Sequence, residues 1–98
     1  MNRWTTMRDA HLHETIGRLK RDIEDFTARA AREASALERD GRPIVSNPLH
    51  QRLTSIRNHL SAQLREAEDE VARRASLAAT RRAWSLRSAL AGLTGARG

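Results

Sequence analysis

The chain of 98 residues lacks cysteine and tyrosine, and aromatic residues make up only 3% of it. Without thiols it can form neither a disulfide framework nor a cysteine-ligated metal site. With so few bulky side chains we expect no large globular core. No apolar run approaches the roughly 20 residues that cross a bilayer. The N-terminus also lacks the apolar core of a signal peptide, so we expect a cytoplasmic protein.

Glycine is scarce as well, and its placement excludes the common phosphate-binding loops. The five glycines form neither a G-x-G-x-x-G nor a G-x-x-x-x-G-K pattern. No nucleophile stands with a base in a recognisable arrangement, and nothing predicts a concave pocket with convergent polar groups. We therefore expect no enzymatic activity, no catalytic residue and no cofactor.

What the chain does contain is typical of long helices: charged residues reach 31%, with much alanine, arginine, leucine and glutamate. Apolar residues recur at steps of three, four and seven at Leu12, Ile16, Leu19, Ile23, Phe26, Ala30 and Leu37. This spacing predicts a first helix over about residues 6–40. Thr6 followed by Asp9 predicts its N-terminal cap, and Gly41 its left-handed terminator.

A single turn is predicted over residues 41–47, where Pro43 prevents the helix from continuing. Asn47 followed by Pro48 is a favoured helix start, which places a second helix over about residues 48–92 with a frayed tail at 93–98. A second apolar seam runs along it, comprising Leu49, Leu53, Ile56, Leu60, Leu64, Ala67, Val71, Ala75, Ala78, Leu86, Ala89 and Leu93. Residues 1–98 thus form one helical hairpin.

Folding the chain back at the turn brings the two seams together. Leu37 then faces Leu53, and Leu12 faces Ala78. We predict an all-α fold: a coiled-coil-like antiparallel two-helix hairpin that remains paired as far as Leu86.

The same alignment places Trp4 opposite Leu86 and near Trp84, where both tryptophans would clamp the open end of the hairpin. One alanine-rich seam barely offsets the ordering entropy of the chain. We therefore expect two hairpins to associate as a homodimeric four-helix bundle, with an interface that includes Met7, Leu77 and Trp84.

Histidines and carboxylates suggest no metal centre. His11 and Glu14 share a helical face, but two ligands do not complete a catalytic zinc site. Carboxylates form an acidic belt around Asp22 and Glu68, and neighbouring arginines at helical spacing can neutralise it. We expect no metal, although a carboxylate site or acidic docking patch stays open as an alternative.

Net charge is +6, and all of the excess lies in residues 71–98, which carry six arginines and no carboxylate. Arginine alternates there with bulky apolar side chains at steps of three and four. We predict a surface for a partner protein or a polyanion, formed by Arg73, Arg74, Leu77, Arg81, Arg82, Trp84 and Arg87.

Two functions fit that surface. Tryptophan and arginine are frequent hot-spot residues, which favours a non-enzymatic adaptor, regulator or assembly component that binds an unidentified protein. Arginines beside an aromatic ring also suit phosphates and stacked bases, so the alternative is a nucleic-acid-binding accessory protein. A helix lying on a membrane surface is a third option.

In length, lack of cysteine and two-helix layout the chain resembles the small secreted WXG hairpins. Residues 41–47 contain no Trp-x-Gly turn, and the absence of tyrosine removes the family's C-terminal Tyr-x-x-x-Asp/Glu signal. The resemblance therefore implies the hairpin architecture alone.

Overall fold

The computed structural model describes residues 3–95, and this part of the chain is helical without a strand. A short 3-10 helix, Arg3–Thr6, precedes α1 (Asp9–Arg39) and α2 (Pro48–Gly95). The two long helices form the predicted two-helix hairpin. The chain divides into two compact units, Met1–Glu68 and Asp69–Gly98. The first contains the 3-10 helix, α1 and the beginning of α2, and the second contains the rest of α2.

The end of α1 has the predicted left-handed glycine. Gly41 adopts a φ of 65°, which costs glycine little because it has no Cβ. Its N–H donates to the Glu38 carbonyl at 3.1 Å, and the Arg42 N–H donates to the Leu37 carbonyl at 2.8 Å. Two carbonyls that the helix end would leave unpaired are thereby satisfied.

The start of α2 also follows its sequence signal. Asn47 Oδ1 accepts a hydrogen bond of 2.9 Å from the His50 N–H. Pro48 occupies the first helical position, where its missing N–H is not needed. α2 continues to Gly95, so the expected end at residue 92 falls three residues short. The remainder of the expected tail, residues 96–98, lies outside the described residues.

The start of α1 differs from the prediction. α1 begins at Asp9 after Arg8, whose backbone is extended (φ −69°, ψ 150°) and whose side chain makes no capping bond. The Thr6 hydroxyl donates instead to the Arg3 carbonyl at 3.0 Å. Residues 3–6 form a separate 3-10 helix, and this removes Thr6 from the capping position.

The core of the first unit lies on the predicted seam of α1 together with Trp4 and Ala67. Trp4, Leu12 and Ala67 are between 0% and 1% exposed. The buried apolar residues are Trp4, Leu12, Ile16, Leu19, Ala30, Leu37 and Ala67. On α2 the predicted positions 53, 56, 60 and 64 are half-buried. The hairpin therefore packs through a narrow apolar stripe in which alanine holds several positions.

Trp4 does not lie beside the residues that were expected to face it when the two apolar seams were paired. Its indole Nε1 donates to Glu66 Oε2 at 3.0 Å, and the Arg3 guanidinium carbon is 4.2 Å from the centroid of its ring. Glu66 precedes the expected neighbour, Leu86, by twenty residues. The expected clamp of two tryptophans is wrong, because Trp4 is buried in the first unit whereas Trp84 is 65% exposed.

The buried part of the α2 seam is also shorter than predicted. Among the residues up to 92, Arg74 is the last that is at least half-buried, and every residue from 75 to 92 is exposed. Ala75, Ala78, Leu86 and Ala89 had been expected inside the hairpin. That expectation is wrong, and the corrected fold leaves five turns of α2 with no buried side.

We predict that Trp4→Ala lowers the free energy of unfolding by about 3–5 kcal/mol, the usual cost of removing a buried large aromatic side chain. Trp84→Ala is the matched control and should change stability by no more than about 0.5 kcal/mol, because Trp84 is exposed. Urea denaturation followed by circular dichroism measures both. Equal losses in the two variants would show that Trp4 does not anchor the hairpin.

Candidate partner-binding surface

The predicted surface lies on the second unit, and its first two arginines are not free. Arg73 binds Glu70 with two hydrogen bonds, from Nε to Oε2 at 2.8 Å and from Nη2 to Oε1 at 2.6 Å. Arg74 Nε donates to Glu70 Oε1 at 2.9 Å. Residues three and four apart face each other on a helix, so Glu70 is placed to hold both guanidinium groups.

Glu70 is a buried carboxylate, 5% exposed, and it stays charged because of these contacts. The hydrogen bonds from Arg73 and Arg74 lower the pKa of Glu70 from 4.5 to about 2. Glu70 in turn raises the pKa of Arg73. The carboxylate offsets one of the two positive charges and holds both side chains in place, so Arg73 and Arg74 contribute less to a binding surface than the sequence suggested.

Beyond this cluster, residues 75–92 form what we call the exposed segment. Its large apolar side chains are open to solvent: Leu77 is 44% exposed, Trp84 65%, Leu86 66% and Leu90 63%. Single exposed apolar residues are ordinary, but these four all lie within five helical turns. The sequence analysis included Leu77 and Trp84 in the predicted binding surface. It assigned Leu86 to the buried seam and did not consider Leu90.

Three arginines in the exposed segment remain available. Arg81, Arg82 and Arg87 are exposed, and none of them makes an ion pair within the part of the chain that the structure describes. No aspartate or glutamate follows Glu70 in the sequence. The segment therefore combines uncompensated positive charge with exposed apolar side chains.

The histidines and carboxylates were considered as possible metal ligands. Within residues 3–95 no group of three or more His, Asp or Glu side chains is placed to hold a metal ion. His13 Nδ1 lies 2.8 Å from the Asp9 carbonyl oxygen, and His59 Nε2 lies 2.9 Å from Gln63 Nε2. Each of these contacts joins residues four apart within a single helix, the first in α1 and the second in α2.

A groove near the turn is a feature that the sequence did not indicate. It has a volume of about 540 Å³ and lies between Ile44, Val45, His50 and Asn58, among others. Val45 is 86% exposed, so the groove is open to solvent. Its lining includes one titratable group, His50, with the hydroxyl side chains of Thr54 and Ser55 and no carboxylate. Among the described residues no hydrogen bond joins the His50 ring to either hydroxyl, so the groove contains no assembled nucleophile–base pair.

Comparison with known proteins gives no assignment: no family model, curated protein or solved structure matches the chain. None of the helices, as far as they are described, is both long and apolar enough to span a membrane.

The Glu70 cluster predicts a specific pH dependence. Because the pKa of Glu70 is lowered in the folded chain, its carboxylate contributes fully to stability above about pH 4.5 and loses this contribution as the pH falls through about 2. Glu70→Gln should therefore be less stable than the parent chain at neutral pH, and the difference should shrink as the pH falls from about 4.5 towards 2. Thermal unfolding across this range measures it.

Glu68→Gln is the control for that experiment. Glu68 is exposed and makes no ion pair among the described residues, so its removal should leave the melting temperature nearly unchanged at every pH. If Glu70→Gln behaved like Glu68→Gln, the two arginine contacts would add nothing to stability.

Proposed function

We propose that this protein is a non-enzymatic helical-hairpin adaptor or assembly component that binds another protein through the exposed segment of α2. The observation that carries the proposal is the exposure of Leu77, Trp84, Leu86 and Leu90 within a segment whose three arginines make no ion pair among the described residues. Aromatic and arginine side chains supply much of the binding energy at protein interfaces. An apolar surface rimmed by charge is also the usual mark of a protein-binding site.

Burial differs between two parts of α2. Within the first unit, buried and half-buried seam residues of α2 stabilise the hairpin, whereas every residue from 75 to 92 is exposed. A single helix of this length is only marginally stable in water, even when it is rich in alanine. Binding that covers Trp84 and the leucines would stabilise it.

We predict that Trp84→Ala combined with Leu86→Ala abolishes partner capture while leaving the fold intact. A protein retained from the native host by the parent chain should be lost, because each hot-spot truncation costs about 2 kcal/mol or more, roughly thirtyfold in affinity. Quantitative mass spectrometry of the retained proteins measures this. Leu49→Ala is the control, because Leu49 is 49% exposed but lies at the start of α2. Equal retention by the two variants would contradict the proposal.

The predicted homodimer stays a prediction, and so does the four-helix bundle. Of its expected interface residues, Met7 is half-buried in the first unit, whereas Leu77 and Trp84 are exposed. A contact through Leu77 and Trp84 alone leaves Leu86 and Leu90 in water, so it accounts for only part of the exposed surface.

Nucleic-acid binding is the second candidate, and the unpaired arginines favour it. Arg81, Arg82 and Arg87 could each neutralise one phosphate, whereas Arg73 and Arg74 share the Glu70 carboxylate. With about 0.9 counterion released per phosphate on duplex DNA, the logarithm of the binding constant should fall against the logarithm of salt with a slope of about −3.

Fluorescence anisotropy with labelled duplex DNA, titrated at several salt concentrations, measures that slope. Arg81→Ala with Arg82→Ala should reduce it to about −1, and Arg73→Ala with Arg74→Ala should change it less. The absence of binding at low salt would remove this candidate.

A further inference from the structure

The exposed segment has bulky apolar side chains on two nearly opposite sides of the helix. At about 100° per residue, Leu77 and Trp84 lie only about 20° apart around the axis, and Leu86 and Leu90 about 40° apart. Trp84 and Leu86, however, are separated by about 160°. All four side chains are between 44% and 66% exposed. A partner that covers them must therefore contact both sides of the helix.

The arginines fill the two gaps between these apolar pairs. By the same angular spacing, Arg81 and Arg82 fall in one gap and Arg87 falls in the other. None of the three has an ion-pair partner among the described residues. An enclosing partner would bring its own side chains against these guanidinium groups. Burying a charge without an opposite charge is costly, so the partner needs carboxylates at these positions.

We infer that the exposed segment docks into an acidic cleft of another protein, with Leu77 and Trp84 on one apolar wall, Leu86 and Leu90 on the other, and carboxylates facing Arg81, Arg82 and Arg87. This inference rests on the proposed function and names the chemistry of the partner. Helix-in-groove binding of this kind uses apolar anchors at helical spacing. Bidentate arginine–carboxylate pairs add geometric specificity.

Other occupants account for fewer of the observations. A membrane surface is planar, so it would bury one apolar pair and leave the other in water. Base stacking in a nucleic acid would use Trp84 and leave Leu86 and Leu90 exposed. A second copy of the chain that paired segment to segment would bring the same arginines and no carboxylate, so like charges would meet. Charge and shape together favour an acidic protein cleft.

Site-specific photo-crosslinking in the native host tests the inference. The photoreactive amino acid benzoylphenylalanine replaces Trp84 in one full-length variant and Leu90 in another, and the crosslinked peptides are sequenced by mass spectrometry. We expect both variants to crosslink to the same protein, at two separate segments. Benzoylphenylalanine in place of the exposed Leu49 is the control and should give no such product.

Charge variants test the acidic character of the cleft. Arg81→Glu with Arg82→Glu should reduce the crosslinking yield about tenfold or more, because like charges would face each other. Arg81→Lys with Arg82→Lys should retain most of the yield. Circular dichroism of the free variants checks that all of them remain helical.

The outcomes separate the inference from the proposed function. If one protein is crosslinked but the yield does not depend on charge, or only one position reacts, the acidic cleft is wrong and protein binding stands. If the product is a second copy of this chain, the occupant is a homodimer and the cleft is wrong. If neither position gives a protein product, both proposals fail. A blue shift of Trp84 emission with phosphatidylserine vesicles or with duplex DNA would then identify the occupant's class.

Discussion

The burial of Trp4 is the constraint on which the rest of the structure depends. In a chain with 3% aromatic residues, one indole supplies a large share of the apolar surface that the hairpin can bury. Its N–H needs an acceptor when it is removed from water, and Glu66 provides one at 3.0 Å. Together these requirements place the N-terminal 3-10 helix beside Glu66 of α2. The extended Arg8 then separates this 3-10 helix from α1, which starts at Asp9.

The parts of the fold that the sequence predicted are those set by neighbours in the chain. Gly41 ends α1, and Asn47 with Pro48 starts α2, because each depends on contacts among residues no more than about five apart. The buried face of α1 was predictable for the same kind of reason, since helical periodicity places Leu12, Ile16 and Leu19 on one side. Local geometry and periodicity were sufficient for the element order and the hairpin.

The position of Trp4 was not predictable from periodicity, because helical spacing gives facing residues only where the chain continues as one helix. The prediction treated Trp4 as a continuation of α1, whereas the extended Arg8 separates it from that helix. For the candidate site, the spacing of Glu70 to Arg73 and Arg74 was visible in the sequence. Glu70 lies one residue before the basic region as it was defined, residues 71–98, so its carboxylate was not set against the charge of Arg73 and Arg74.

These corrections change which residues can serve a binding function. Arg73 and Arg74 stabilise α2 by holding the Glu70 carboxylate, so part of the apparent basic surface belongs to the fold. The two tryptophans likewise differ in role: Trp4 is fully buried, whereas Trp84 is 65% exposed. Within residues 75–92 a chain with so few large apolar side chains leaves four of them open to solvent, where they add nothing to the stability of the hairpin. The proposed binding function of residues 75–92 rests on that exposure.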